Sequence, residues 1–235
     1  MLVAAAVCPC PPLLVPEVAA GAAPELDAVR RACADALGVL AAARPDLLAV
    51  VGPAGPEGQG PHPQGARGDF RGFGVDLQVR LGKGEAASER PLPSSLSLAA
   101  WLLGRTGWAG PVEGLGVAED LPAAHCAGTG RELAGRAGRV ALLVMGDGSA
   151  CRTLKAPGYL DERAEGFDAD AARALGTADT AALLALDGEL AYGLKCAGRA
   201  PWQVLAGAGD GADMGGQLLY EGAPYGVGYF VAAWT

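Results

Sequence analysis

The chain has 235 residues, 51% hydrophobic and 19% charged, with a formal net charge of −8. This is enough apolar material for one well-cored domain, and it excludes a disordered chain. No basic run is present to neutralise phosphates and no apolar run approaches ~20 residues, so neither a nucleic-acid partner nor a membrane span is expected.

Six cysteines in a chain of this length do not make a disulfide scaffold. The opening MLVAAAVCPCPPLL lacks the basic segment and small-residue cleavage site of a secretory signal, and reads as a buried first strand. Reduced thiols and a cytoplasmic location are the expectation. Only three of the eighteen basic residues are Lys, which with the abundance of Ala, Gly and Arg points to a GC-rich coding genome and not to a function.

Leu2 to Val7 is a short β-type run stopped by Pro9, Pro11 and Pro12, none of which can sit in a central ladder. Pro24 to Ala43 is helical, with Leu26, Val29, Arg30, Cys33, Leu37 and Leu40 following a 3–4 spacing and Glu25 and Asp27 favourable in the first turn. Leu47 to Val51 is a second buried strand, ending at Gly52-Pro53. Gly52 to Gly74 is rich in Gly and Pro and predicts a surface excursion or lid. Val75 to Leu81 alternates like a half-exposed strand, and Ser94 to Leu103 reads as a helix with a Ser cap.

Val112 to Val117 predicts a strand, Ala123 to Ala137 a helix, and Val140 to Met145 a fully apolar strand. A helix with an acidic start, short helices over Thr180 to Leu194, and a helix from Pro201 to Ala208 follow. Gly207 to Gly216 is Gly-rich but follows a helix instead of joining a strand to a helix N-terminus, so it predicts a loop and not a phosphate cradle. Leu218 to Tyr220 and Gly226 to Val231 close the chain as antiparallel strands. Strands alternating with helices imply one α/β domain, a mostly mixed central sheet with helices on both faces. No internal repeat or domain boundary interrupts it.

Polar chemistry concentrates where the Val140 to Met145 strand opens into Gly146-Asp147-Gly148-Ser149, the strand end at which open α/β sheets place ligands. Asp147, Ser149 and Arg152 admit two readings. One is loop scaffolding, with Asp and Ser satisfying local backbone N–H groups. The other is a pocket for an anionic small molecule, using Arg152 and Lys155. Glu221 and Tyr225 are further cleft candidates. Cys151 is a candidate reactive thiol, since an adjacent Arg152 lowers a thiol pKa when the two meet in space.

The stretch GDGSACRTLKAPGYLDERAEGFDADAARAL resembles the class III extradiol ring-cleavage dioxygenases, the family of the protocatechuate-cleaving β-subunit. Gly146, Asp147, Ser149, Arg152, Ala156, Pro157, Gly158, Tyr159, Phe167 and Asp168 fall in that family's order at similar spacing. The opening VCPCPPLLVPE is similar to its strand followed by x-P-H-P-P, and Leu47 to Pro53 to its strand followed by Gly-Pro-Ser-His. Cys196-Ala-Gly-Arg-Ala-Pro201 is similar to a cysteine motif of the Memo branch. The resemblance implies a mostly mixed sheet wrapped by helices, with a metal at the strand ends. On this chain Asp147, Ser149, Arg152 and Tyr159 are the substrate-binding candidates, and Asp147 and Cys151 the catalytic candidates. The resemblance also implies ferrous iron held by two His and one carboxylate, with a further His moving protons.

The chain departs from that pattern at its chemistry. Cys10 stands at the first ligand position, Ala54-Gly55-Pro56 follows where the second His belongs, and Ala150 occupies the proton-transfer position. Of the two histidines, His62 reads either as a solvated loop residue or as a displaced ligand, and His125 as a surface residue of its helix. Cys10, Cys196 and His62 together make a soft-metal candidate, suited by residue type to zinc or copper. The same cysteines also fit as small buried hydrophobes, in which case no metal is bound.

Three functions follow: a dioxygenase-like enzyme, a non-catalytic binding protein (a pseudoenzyme) on the same fold, and a thiolate metal protein. The expected partner is a small aromatic or anionic molecule, with oligomerisation open.

Overall fold

The computed structural model describes residues 1–85 and 89–235. The first part of the chain holds β1 (Leu2–Cys8), α1 (Pro16–Ala19), α2 (Asp27–Ala42), β2 (Leu47–Pro53) and three short strands, β3 (Gly60–His62), β4 (Arg67–Asp69) and β5 (Gln78–Arg80). The middle holds α3 (Ser94–Thr106), β6 (Val112–Val117), α4 (Ala123–Ala134) and β7 (Val140–Met145). The last part holds α5 (Arg163–Gly176), α6 (Thr180–Leu184), α7 (Gly188–Gly193), α8 (Arg199–Ala208), β8 (Gly216–Gly222) and β9 (Tyr229–Trp234).

Seven strands form a mixed sheet in the order β3-β6-β2-β7-β1-β9-β8, so the fully apolar strand of the sequence is its middle member. The pairs β6–β2, β2–β7 and β7–β1 are parallel, while β3, β9 and β8 add to their neighbours antiparallel. Period-2 alternation splits these strands between two cores. Ala5, Val7, Val51, Leu142 and Val144 face α4, α5 and α8, whereas Ala4, Ala6, Cys8, Val50, Leu143 and Met145 face α2 and α3. Both faces are covered, which is why β7 carries no polar side chain. Among the described residues no helix is long and apolar enough to cross a membrane.

Local chemistry shifts several boundaries. α2 starts at Asp27, and Pro24 to Leu26 belong to a preceding 3-10 segment. The α3 cap is Pro93, with no side-chain cap bond, and the Ser95 hydroxyl instead donates to the Pro53 carbonyl at 2.7 Å. α4 stops at Ala134, three residues earlier than expected, because Gly135 caps it. Of Val75 to Leu81 only Gln78–Arg80 is strand, paired with β4 in a separate two-stranded sheet. β9 begins at Tyr229 and not at Gly226, whose φ of +77° turns the chain before the strand can start.

The Gly/Pro-rich segment after β2 is not a free lid. Its His62 lies in β3, an edge strand hydrogen-bonded to β6, and is only 1% exposed.

Candidate functional site

β1 and β7 run parallel and release their chains side by side, which brings Cys10 and Asp147 together. The Cys10 amide donates to Asp147 Oδ1 at 2.7 Å, and its thiol lies 3.8 Å from Oδ2. On the other side, the Asp147 carbonyl accepts from the Gly198 amide at 2.8 Å and lies 3.4 Å from Cys196 Sγ. Cys10 and Cys196 thus both lie against Asp147, on opposite sides.

The electrostatics of this cluster favour protons over charge. Burial pushes the Asp147 carboxyl up to about 7, against the opposing pull of the Cys10 amide and thiol. The Cys10 thiol is pushed well up, by burial first and then by Asp147. Cys196 is raised too, again chiefly by burial. Thiols held in the neutral form are weak nucleophiles and weak metal ligands. Asp147 alone has a proton to exchange near neutrality.

Ser149 and Asp168 are scaffold. Both are fully buried, and the Asp168 carboxylate accepts the Ser149 amide and hydroxyl, each at 2.8 Å. Arg152 Nη1 donates to the same carboxylate at 3.1 Å and its Nη2 reaches Glu165 at 3.6 Å. Burial raises the Asp168 pKa even so. Gly148 and Gly228 are required here, because a Cβ at either would stand 2.8 or 2.6 Å from a carboxylate oxygen. The Gly-Asp-Gly-Ser loop, α5 and the approach to β9 are thus locked around one buried carboxylate. The Ser149 side chain is spent on Asp168 in this arrangement.

Cys151 is not an activated thiol. It is buried, its Sγ lies 3.5 Å from the Leu194 carbonyl, and its pKa is raised, by burial first. Tyr159 is 63% exposed with a left-handed φ of 62°. Tyr225 donates to Glu25 Oε2 at 2.9 Å, and Glu221 is exposed on β8.

The expected metal set does not assemble. His62 is on β3, four strand spacings or about 19 Å from β1. Its Nε2 lies 2.8 Å from the Gly58 carbonyl and 3.1 Å from Arg90 Nη2. Both the solvated-loop and the displaced-ligand readings of His62 give way to a buried edge-strand residue. His125 is exposed on α4. Among the described residues no group of three His, Cys, Asp or Glu side chains is arranged to hold a metal ion. Two neutral thiols and one carboxyl do not match the two-histidine site that the resemblance implies for iron, and they lack a third soft donor for zinc or copper.

Two clefts open beside these loops. One, about 710 Å³, lies between Arg152, Leu154, Lys155, Leu160, Pro224 and Tyr225. The other, about 810 Å³, lies between Asp120, Leu186, Gly188, Glu189, Tyr192 and Arg199. Sequence reasoning missed the second one. Arg199 and Gln203 head α8 within an otherwise apolar run, and that pair of polar residues at i and i+4 was the available signal. Tyr229 was missed as well; its phenol pKa is raised, by burial first and then by Asp147, so it stands at the edge of the same cluster.

No protein-family model matches the chain, and no curated protein matches it. Among solved structures, the chain is similar to the uncharacterized protein JW3007 from Escherichia coli K12, with a TM-score of 0.55 over 99% of both chains at 14% sequence identity. That likeness extends to the fold.

Proposed function

We propose that this chain is a divergent relative of the class III extradiol dioxygenases that binds a small aromatic carboxylate, or a ligand of the same anionic and apolar character, without opening its ring. One observation carries the binding half of this reading. The 710 Å³ cleft at the strand ends sets two cations, Arg152 and Lys155, among the apolar surfaces of Leu154, Leu160 and Pro224. Apolar walls with a few placed polar groups are the usual make-up of a small-molecule site. Arg152 is held in place by Asp168, so its guanidinium is presented without further ordering. Lys155 makes no ion pair among the described residues and supplies the mobile charge.

The absence of ring cleavage follows from the donors. Ala150 cannot move a proton, Cys10 is a neutral thiol where the family pattern has an imidazole, and both histidines lie elsewhere. Ser149, Arg152 and Asp168 of the central motif are used to hold the loops together.

Calorimetric titration of benzoate into the protein tests the reading. Saturable binding is expected, weakened roughly tenfold by Lys155→Glu, since losing about 1.4 kcal/mol of attraction costs that factor. No heat of binding, or an unchanged affinity in the variant, contradicts it.

A further inference from the structure

We infer that the 810 Å³ cleft beside α8 is a second and separate site, which takes a small zwitterion of the α-amino-acid type: its carboxylate on Arg199 and its ammonium among Asp120, Asp187 and Glu189. The anchor is Arg199, which is 4% exposed. It forms no ion pair among the described residues, an expensive state for a buried cation.

Three of its five donors are used. Nη1 donates to the Leu121 carbonyl at 2.6 Å and to Gln203 Oε1 at 2.9 Å, and Nη2 donates to the Glu119 carbonyl. Nε is one of two buried side-chain nitrogens without a hydrogen-bond partner among the described residues, the other being Trp202 Nε1. What remains free is Nε–H and one hydrogen on Nη2, donors of the kind with which a guanidinium holds a carboxylate. The fork is also rigidly held, because Gln203 Nε2 donates to the carbonyls of Leu183, Leu184 and Leu186 at 3.2–3.3 Å.

The rim has the opposite charge. Asp120 sits between the two residues whose carbonyls bind Arg199, and Asp187 and Glu189 flank Gly188. Gly188 covers the guanidinium without being wedged against it, since a Cβ there would stand 3.7 Å from Cζ and 3.9 Å from Nη2. Access to the free edge requires Gly188 to move outward from the guanidinium. None of the three carboxylates reaches Arg199, so the cleft is positive at its floor and negative at its mouth. A plain anion meets repulsion at the rim, and a plain cation meets it at the floor; a molecule carrying both charges a few bonds apart meets neither. Tyr192, 74% exposed, adds an aromatic surface to the cleft. This site shares no lining residue with the cleft at Lys155, and each is tested independently of the other.

Three probes of one shape separate the charges: L-leucine, 4-methylpentanoate (the same molecule without the ammonium) and 3-methylbutylamine (without the carboxylate). Calorimetric titration is expected to give saturable leucine binding, with each single-charge analogue at least about tenfold weaker. Arg199→Gln is expected to abolish leucine binding. Because that change also removes structural bonds, the doubly substituted Asp120→Asn, Glu189→Gln variant serves as the second arm. Its changes are on exposed side chains, and it is expected to bind leucine several-fold more weakly while 4-methylpentanoate gains. Equal binding of leucine and 4-methylpentanoate by the wild-type protein overturns the inference. So does leucine affinity unchanged in the double variant, or no binding of any of the three.

Discussion

Asp168 accepts two hydrogen bonds from Ser149, one from the amide and one from the hydroxyl, both at 2.8 Å, with neither residue exposed to solvent. This pair, closed by Arg152, fixes the loop on which the candidate site stands. Asp168→Ala leaves a buried amide and hydroxyl without their acceptor and a guanidinium with only the exposed Glu165 at 3.6 Å as counter-ion. The expected cost is about 3–5 kcal/mol, the range for breaking a buried pair, which lowers Tm by on the order of 10 °C in a chain of this size. Thermal unfolding followed by circular dichroism measures it. A change below ~1 kcal/mol contradicts the lock.

Asp147 predicts a pH dependence of the opposite kind from an ordinary salt-bridged carboxylate. Its folded-state pKa is raised from 3.8 to about 7 by burial. Its contribution to stability is therefore complete below the unfolded value and is lost as pH rises through the folded one. Between about pH 4 and pH 7 the wild-type protein is expected to lose stability relative to Asp147→Asn, by at most on the order of 4 kcal/mol. Denaturant unfolding of both proteins across that range checks it. Parallel pH profiles contradict the assignment.

His62 gives the reverse sign. Its pKa is lowered, by burial first and then by the charge of Arg90. A depressed histidine favours the folded state above the unfolded pKa of 6.5, and that advantage is lost as pH falls through the lower folded value. His62→Gln is expected to remove part of the acid destabilisation that begins below about pH 6.5, and to leave benzoate and leucine binding unchanged. Unfolding titrations at about pH 7.5 and about pH 5.5 read the first point, and an altered ligand affinity contradicts the second.

The sheet was legible because its strands are nearly pure hydrophobic runs: Leu2–Cys8, Leu47–Pro53 and Val140–Met145 each fall within two residues of the expected bounds. The meeting of Cys10 and Asp147 follows from the parallel pairing of β1 and β7, which delivers both C-terminal loops to one edge. β3 was not legible. It is three residues long, contains a proline on an edge where the missing N–H is tolerated, and owes its strand to pairing with β6, a contact absent from its local pattern. Arg199 was illegible for a related reason. Its significance lies in the lack of a partner, and partners are assigned only when α4, α7 and α8 come together.

The roles within the central motif divide along burial. Sequence order alone groups Asp147, Ser149, Arg152 and Tyr159. In space, Ser149 is sealed under Asp168, Tyr159 faces solvent, and Asp147 and Arg152 remain at the cluster's accessible edge. Adjacency to Arg152 suggests an activated Cys151, but burial against the Leu194 carbonyl outweighs the nearby cations.

Oxygen consumption separates the proposed ligand binding from the ring-opening chemistry of the extradiol dioxygenases. Protein reconstituted anaerobically with ferrous iron and then mixed with catechol and protocatechuate in air is expected to consume oxygen no faster than the same iron without protein, while benzoate binds equally with and without the metal. Protein-dependent oxygen uptake with formation of a ring-opened product would contradict the account.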